Sequence, residues 1–318
     1  MHAYYVHDLS PFLIKFNESI GVRWYGLAYV AAFLLGIVVV KHLSRRGFCD
    51  IPEAHVADFI IGGAIFGVVL GGRLGYMLFY DFQDFTANPL IIVKVWDGGM
   101  SAHGGILGLS LYTWWYSWKH KISWFNLGDN LVVAAPIGLF LGRIANFING
   151  ELYGRATNVV WAMQFPSELR LSPEETARAV EAATKINPEW TNADVIIEAS
   201  RHSEPLRVSL GEILTPRHPS QIYEAMLEGA LLFIIMWILR TRVKMPNGIL
   251  VVVFFIAYAI LRSTSEFFRE PDAPLTGALT RGQFLSIFLI VVGSIFIWNI
   301  SRHPTYPPVY RGEKAAGK

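Results

Sequence analysis

The sequence predicts an all-α polytopic membrane protein of seven transmembrane helices, its N-terminus outside and its C-terminus cytoplasmic, with a small extracytoplasmic head between spans four and five. Three observations carry this reading. Apolar residues make up 53% of the 318 and charged residues only 16%, too apolar a balance for a soluble domain. The apolar residues fall in blocks close to the ~20 residues that a spanning helix needs. Finally, Lys and Arg concentrate in alternate connecting loops, as cytoplasmic loops do.

The blocks run from Tyr25 to Val40, Phe59 to Phe79, Met100 to Trp118, Leu127 to Phe147, Ile222 to Leu239, Gly248 to Ile260 and Phe284 to Ile300. The sixth reaches spanning length only with its polar continuation. No basic start followed by an apolar run and a small-residue cleavage site opens the chain, so span one is expected to act as the insertion signal. Lys41, Arg45 and Arg46 follow span one, Lys119 and Lys121 follow span three, Arg240, Arg242 and Lys244 follow span five, and Arg302, Arg311, Lys314 and Lys318 close the chain. Seven spans put all of these on one side. The opposite loop from Asp81 to Asp97 sets Lys94 against Asp81, Asp84 and Asp97. Trp24, Trp96, Trp114, Trp115, Trp118, Trp124 and Trp237 lie near span ends, where interfacial anchors belong.

The body is expected to comprise residues 1–150 and 219–300, the head 151–218, and a disordered cytoplasmic tail 301–318. In the head, Ser172-Pro173-Glu174-Glu175 is a helix start: an N-cap serine, proline at the first helical position and two acids in the first turn. Asn149-Gly150 is a helix end, since both residue types tolerate the left-handed conformation. The single Cys49 excludes an intrachain disulfide and a Cys-rich metal site.

Polar residues interrupt the blocks. Arg73, Arg143 and Arg262 lie 15, 15 and 14 residues beyond Asp58, Gly128 and Gly248, the cytoplasmic starts of spans two, four and six. At 1.5 Å per residue each is roughly 21–23 Å into a ~30 Å core. The three outward-running helices thus bring three arginines to one depth, in the outer leaflet. Span three enters from that side, with His103 a few residues in, and Tyr25 stands at the outer end of span one. On span six, Tyr258, Arg262, Glu266 and Arg269 form one helical stripe, in which Glu266 pairs with Arg262 or Arg269. Arg143 and Asn146 share a face of span four.

Such residues either glue helices together or form a site. Convergence at one depth favours a site. Arg73, within Gly71-Gly72-Arg73-Leu74-Gly75, is either part of it or a snorkelling arginine at a close helix contact. His103 is either a packing residue or a neutral imidazole able to accept a proton; its glycine neighbours allow backbones or a ligand to approach. Ser220, in His218-Pro-Ser-Gln-Ile-Tyr-Glu224, is either a helix cap or part of the polar layer. Arginines repel cations and His103 has no partner at ligand spacing, so no metal is expected. Nor does a nucleotide fingerprint fit. An outer-leaflet arginine cluster suits a phosphate-bearing lipid, because guanidinium donates two parallel hydrogen bonds to phosphate oxygens.

Several stretches carry a family resemblance. Gly142-Arg-Ile-Ala-Asn-Phe-Ile-Asn-Gly-Glu-Leu-Tyr-Gly154 closely resembles the signature of the bacterial prolipoprotein diacylglyceryl transferases. Trp24-Tyr25-Gly26, Gly71-Gly72-Arg73-Leu-Gly-Tyr76, Val95-Trp-Asp-Gly-Gly-Met-Ser-Ala-His-Gly-Gly105, His218 to Glu224 and Arg262-Ser-Thr-Ser-Glu-Phe-Phe-Arg-Glu-Pro-Asp272 follow the same family in order. The resemblance implies transfer of diacylglyceryl from phosphatidylglycerol to the lipobox cysteine thiol of a preprolipoprotein, forming a thioether and releasing glycerol phosphate. It also implies a multi-pass protein of the bacterial cytoplasmic membrane. The family's important positions fall on Tyr25, His103, Arg143, Asn146, Glu151, Gly154, Tyr258, Arg262, Glu266 and Arg269.

The resulting expectation has Arg143 and Arg262 stabilising the departing phosphate and Glu266 orienting Arg262. Asn146 and Tyr25 position the head group, while Glu151, Gly154, Tyr258, Arg269 and Arg73 line the site. His103 is the leading base, unless the arginines lower the thiol pKa enough to need none. No cofactor and no nucleic acid are expected; the partners are the lipid, the signal peptide with its lipobox cysteine and the surrounding membrane lipids, and the chain is expected to be a monomer. Ala145 departs from the family's usual glycine, and the head is longer than in compact members. The rival function, a phospholipid or anion transporter, requires polar groups continuing into the inner halves of the spans, which read as apolar. An intramembrane protease finds no Gly-x-Ser-x-Gly or paired intramembrane aspartates.

Overall fold

The computed structural model describes residues 4–16, 21–94, 98–270, 300, 302 and 304–312, except for the side chain of residue 102. Long helices dominate. They are α1 (Trp24–Arg45), α2 (Glu53–Phe79), α3 (Ala102–His120) and α4 (Trp124–Asn149), then three shorter helices, α5 (Pro173–Ile186), α6 (Ala193–Ser200) and α7 (Glu204–Gly211), and finally α8 (Ser220–Arg242) and α9 (Ile249–Ser265). Four of them, α1, α2, α4 and α8, are long and apolar enough to cross a membrane; α9 is apolar but has only 17 residues. Six of the seven predicted blocks are therefore helical. The seventh, from Phe284, lies outside the described residues apart from Ile300.

The fold is mostly rather than wholly helical. Strand β1 (Tyr5–Val6) pairs in parallel with β4 (Met163–Gln164), and β2 (Phe12–Lys15) pairs antiparallel with β3 (Gly21–Arg23). Helices α2 and α8 each contain a π-helical stretch, Gly63–Val69 and Ala225–Leu231. A π turn widens the helix by nearly one residue and is common at functional sites.

The chain divides into two compact units. One comprises Met1–Ala31, Pro136–Leu232 and Phe255–Val291; the other comprises Ala32–Ala135, Phe233–Phe254 and Val292–Lys318. In the first unit, residues 151–218 form a core with Val6 of β1, in which Val6, Leu169, Ala179, Ala183, Ile196, Leu206 and Leu210 are buried together. As the sequence predicts, Ser172 caps α5, its hydroxyl accepting from Glu175 N at 3.4 Å. Asn192 and Ser203 cap α6 and α7 in the same way. These caps satisfy amides that a helix start leaves without partners.

In the second unit, α2 and α3 pack through glycine. A Cβ on Gly71 would lie 2.6 Å from Gly104 O and 2.8 Å from Gly108 Cα, and one on Gly75 would lie 2.6 Å from Gly104 Cα. Gly67, Gly71 and Gly75 thus face Gly104 and Gly108 at four-residue spacing, the small-residue pattern of close membrane helix pairs.

The same unit corrects two expectations. The ends of spans four and five opposite the arginines are not purely apolar. Asp129 is fully buried, pairs with Arg240 at 3.4 Å and accepts from Gly248 N and Val251 N at 2.8 and 3.1 Å. Asn126 donates to Phe48 O and to Asn247 Oδ1. Each group there binds a neighbouring chain segment, so the cluster ties α4, α8 and the start of α9 together. Within the predicted disordered tail, moreover, residues 304–312 are ordered. Asn247 N donates to Thr305 O at 2.7 Å, Val309 N to Gly47 O at 2.8 Å, and Arg311 pairs with Asp50 at 2.6 Å. Lys244 lies over the Tyr306 and Tyr310 rings. Cys49, nearby, is buried and its thiol is pushed up to about 12 by desolvation, which leaves it unreactive.

Candidate active site

In the first unit, α4, α8, α9 and the turn that follows α9 deliver three arginines and three glutamates to one place. Arg143 Nε is 2.7 Å from Glu224 Oε2, and its Nη2 is 3.5 Å from Glu228 Oε2. Arg262 Nη1 lies 3.3 Å from both Glu224 and Glu228. Arg262 Nη2 is 2.8 Å from Glu266 Oε2, in ionic contact without hydrogen-bond alignment. Arg269 Nη1 donates to Glu224 Oε1 at 3.0 Å, and Ser265 Oγ to Glu228 Oε1 at 2.8 Å. Three positive and three negative charges therefore alternate, which is what allows six ionised groups to leave water together.

The carboxylates form the floor. Glu224 and Glu228 side chains are 1% and 0% exposed, against 18% for Arg143 and 12% for Arg262. Arg143 Nη1 forms no hydrogen bond or ion pair among the described residues, so its guanidinium is held on one edge and open on the other. Glu224 and Glu228 are four residues apart and so lie side by side on one face of α8, at the start of its π-helical stretch.

A second group adjoins α4. Asn146 Nδ2 donates to Tyr25 Oη and to Glu151 Oε1, both at 3.0 Å, and Asn149 Nδ2 reaches the same Glu151 oxygen at 3.3 Å. The helix ends at Asn149, as predicted, and Gly150 and Leu152 both take positive φ, +68° and +57°. That conformation is unfavourable for leucine. It is held by Gln221 Nε2 donating to Glu151 O at 2.7 Å and Ser220 Oγ donating to Leu152 O at 3.1 Å. Ser220 therefore does not cap α8. It is that helix's first residue, and its hydroxyl clamps the turn carrying Glu151.

Gly154 is crowded. A Cβ there would meet the Phe268 carbonyl and lie 2.7 Å from His218 O. Three segments cross at this point: Gly154 N donates to His218 O, Arg155 N to Phe268 O, and His218 N to Arg155 O. Arg155 Nε also donates to Arg269 O at 2.9 Å. The predicted helical stripe is cut short here. α9 ends at Ser265, and a turn rather than helix carries Glu266 and Arg269 back to the cluster. Tyr258, on α9, is within electrostatic reach of Glu228, Arg262, Arg143 and Glu224. Above the lacing, Trp161 Nε1 donates to Tyr223 Oη at 2.6 Å, and the Tyr223, His218 and Phe268 rings meet edge to face. Burial lowers the His218 pKa, favouring the neutral ring.

Arg73 and His103 belong to the second unit. Arg73 is buried and donates to the carbonyls of Ile91, Ile92, Gly98 and Gly99, closing the loop that precedes α3. Asp81, Asp84 and Tyr76 share with it a cavity of about 370 Å³. His103 is the second residue of α3 and is exposed; Ser101 caps that helix by accepting from Gly104 N at 3.2 Å. Tyr25, Arg143, Asn146, Glu151, Gly154, Tyr258, Arg262, Glu266 and Arg269 thus all lie in one unit. Sequence reasoning missed Glu224 and Glu228 as counter-ions. The signal was there: two acids four residues apart at the head of an apolar span, where an ionised group needs a partner.

Fold and site together define a multi-pass helical membrane protein with a charge-compensated arginine centre in its helices. The chain belongs to the prolipoprotein diacylglyceryl transferase family, whose model matches residues 11–299. It is similar to the phosphatidylglycerol–prolipoprotein diacylglyceryl transferase of Coxiella burnetii (strain Dugway 5J108-111), 38% identical over 94% of this chain and 98% of the relative. The proteins of the same name from Neisseria gonorrhoeae (strain NCCP11945) and Neisseria meningitidis serogroup A are 39% and 40% identical, each over 91% of this chain and 95% and 94% of their own.

Proposed function

We infer that this chain transfers the diacylglyceryl group of phosphatidylglycerol to the cysteine of a prolipoprotein, and that the arginine centre is where the phosphate leaves. Family membership supports the reaction. The observation that carries the site is the pair Arg143 and Arg262, both held from below by Glu224 and Glu228, with the Nη1 of Arg143 left open and Arg262 backed further by Glu266. Guanidinium edges so fixed stabilise charge as it grows on a leaving phosphate without having to reorganise.

In the step we propose, the cysteine thiolate attacks the glycerol carbon that bears the phosphate ester. A carbon–sulfur bond forms and the carbon–oxygen bond breaks, with its electrons going to the phosphate. The thiol proton passes to a base, for which His103 is the candidate. Tyr25, Asn146 and Glu151 present hydroxyl, amide and carboxylate to the glycerol head group. Tyr258 and Arg269 complete the arginine centre, Gly154 sets the approach of the segments that carry it, and Arg73 holds the loop before α3.

The charge pattern of the loops supports seven spans, with the N-terminus outside and the C-terminus cytoplasmic. With that topology the centre lies in the outer leaflet of the bacterial inner membrane and residues 151–218 lie outside as a head. The protein acts as a monomer on this reading.

The test uses purified full-length protein, phosphatidylglycerol labelled in its acyl chains and a lipobox peptide. Label should appear on the peptide and fall at least a hundredfold with Arg143→Ala; lipid movement without covalent product would sink the reading. His103→Gln should lower kcat and flatten the pH–rate profile. Full activity in a folded His103→Gln protein would remove it as base.

A further inference from the structure

The three glutamates do more than hold three arginines still. Arg143, Arg262 and Arg269 alone would present three positive charges to a lipid carrying one negative charge. The product, a phosphomonoester, carries about 1.5–2 negative charges once the thiol proton has left. A bare arginine site would therefore hold product more tightly than substrate. Glu228 opposes this from the floor: fully buried, it contacts Arg143 and Arg262, the two most exposed arginines of the centre, and is fixed by Ser265 Oγ at 2.8 Å.

We propose that Glu228 is a positioning residue that sets the phosphate affinity of the centre, neutralising Arg143 and Arg262 so that the doubly charged glycerol phosphate is released. This rests on the reaction assigned above. The groups facing Glu228 are Arg143 from α4, Arg262, Ser265 and Tyr258 from α9, and Glu224 on its own helix beside them. Each arginine also contacts Glu224, so loss of Glu228 leaves both anchored while the formal charge of the centre rises from zero to +1.

The experiment compares wild type, Glu228→Gln and Glu228→Asp, as full-length protein in phosphatidylglycerol-containing micelles. It measures KM for the lipid, kcat, and the Ki of added glycerol phosphate. Gln keeps the shape and the bond from Ser265 but not the charge. One added charge a few ångströms from phosphate is expected to lower Ki about tenfold or more, lower KM less, and reduce kcat as product release slows. Asp should keep Ki within about threefold of wild type. A folded Glu228→Gln protein with Ki unchanged or raised overturns the proposal, because a purely structural role predicts weaker phosphate binding. Should that variant fail to accumulate, Glu266→Gln removes a carboxylate 2.8 Å from Arg262 and must move Ki in the same direction; a Ki that stays or rises there overturns it equally. Absence of transfer in wild type would instead refute the assigned reaction. Glycerol phosphate binding, read by calorimetry, still reports the effect of Glu228 in that case.

Discussion

Gly154 has no room for a side chain. A Cβ would press on two carbonyls, of Phe268 and His218, that belong to a backbone crossing and have little freedom to shift. Gly154→Ala is expected to destabilise by about 1–3 kcal/mol. It should also misplace Arg269, whose neighbour Phe268 is part of that crossing, so transfer activity should drop more than the fraction folded; a circular-dichroism melt beside the transfer assay separates the two. His7 offers a pH test. It is 6% exposed, packed between Phe147 and Phe165, and burial lowers its pKa from 6.5 to about 4. The unfolded chain takes up this proton below about pH 6.5, while the folded chain refuses it until about pH 4. Stability is therefore whole above 6.5 and falls through that window by up to roughly 3 kcal/mol. The wild-type melting temperature should drop between pH 7 and pH 4.5 more steeply than that of His7→Phe, in which the group is gone. At this scale the sequence disclosed Arg143, Asn146, Glu151, Arg262 and Glu266, because charge in an apolar run stands out. It showed Glu224 and Glu228 as two acids at the head of an apolar span, though not which arginines they meet, and it hid His7, whose burial depends on Phe147 and Phe165 far along the chain.

Among the elements, the pair α2 and α3 depends on glycine. Gly71→Leu would place a branched side chain where Gly104 O and Gly108 Cα already stand, 2.6 and 2.8 Å from the Cβ alone. The expected result is separation of the two helices, seen as poor accumulation in the membrane and a lower melting temperature; a well-folded Gly71→Leu protein would contradict the packing. The glycines of Gly71-Gly72-Arg73-Leu74-Gly75 and His103-Gly104-Gly105 are legible in the sequence, but not which helix they meet. The glycines beside His103 allow either another backbone or a ligand to approach, and at Gly104 it is the backbone of Gly71 and Gly75 that does. The π-helical stretch of α8 was illegible. Nothing in Ala225-Met-Leu-Glu-Gly-Ala-Leu231 marks it, although within it Gly229 packs so closely on Phe140 of α4 that a Cβ would lie 2.5 Å from that side chain.

For the molecule as a whole, the positions of six apolar helices were written in composition, whereas the segment 304–312 was not. Its anchors, Thr305, Tyr306, Val309 and Arg311, each meet a different residue of the loops around Gly47 and Asn247, and such scattered contacts leave no pattern in a sequence. Truncation after residue 303 should expose the loop 46–50 to protease and lower the melting temperature by several degrees. Burial raises the Asp50 carboxyl and Arg311 pulls it back, so Arg311→Ala should reproduce part of that loss, by at most about 1–2 kcal/mol.

The alternation of three arginines with three glutamates also bears on how the chain is made. Arg143 leaves the ribosome about eighty residues before the acids that neutralise it, and it opposes insertion by at most the roughly 2.5–3.5 kcal/mol that an arginine costs at a helix centre. Helix α4 therefore enters the bilayer as a debtor, retained beside the translocation machinery or tilted toward water until α8 brings Glu224 and Glu228. Biogenesis and chemistry draw on the same six side chains, and a nascent chain that lacks both acids should be handed to membrane proteolysis before it meets a substrate.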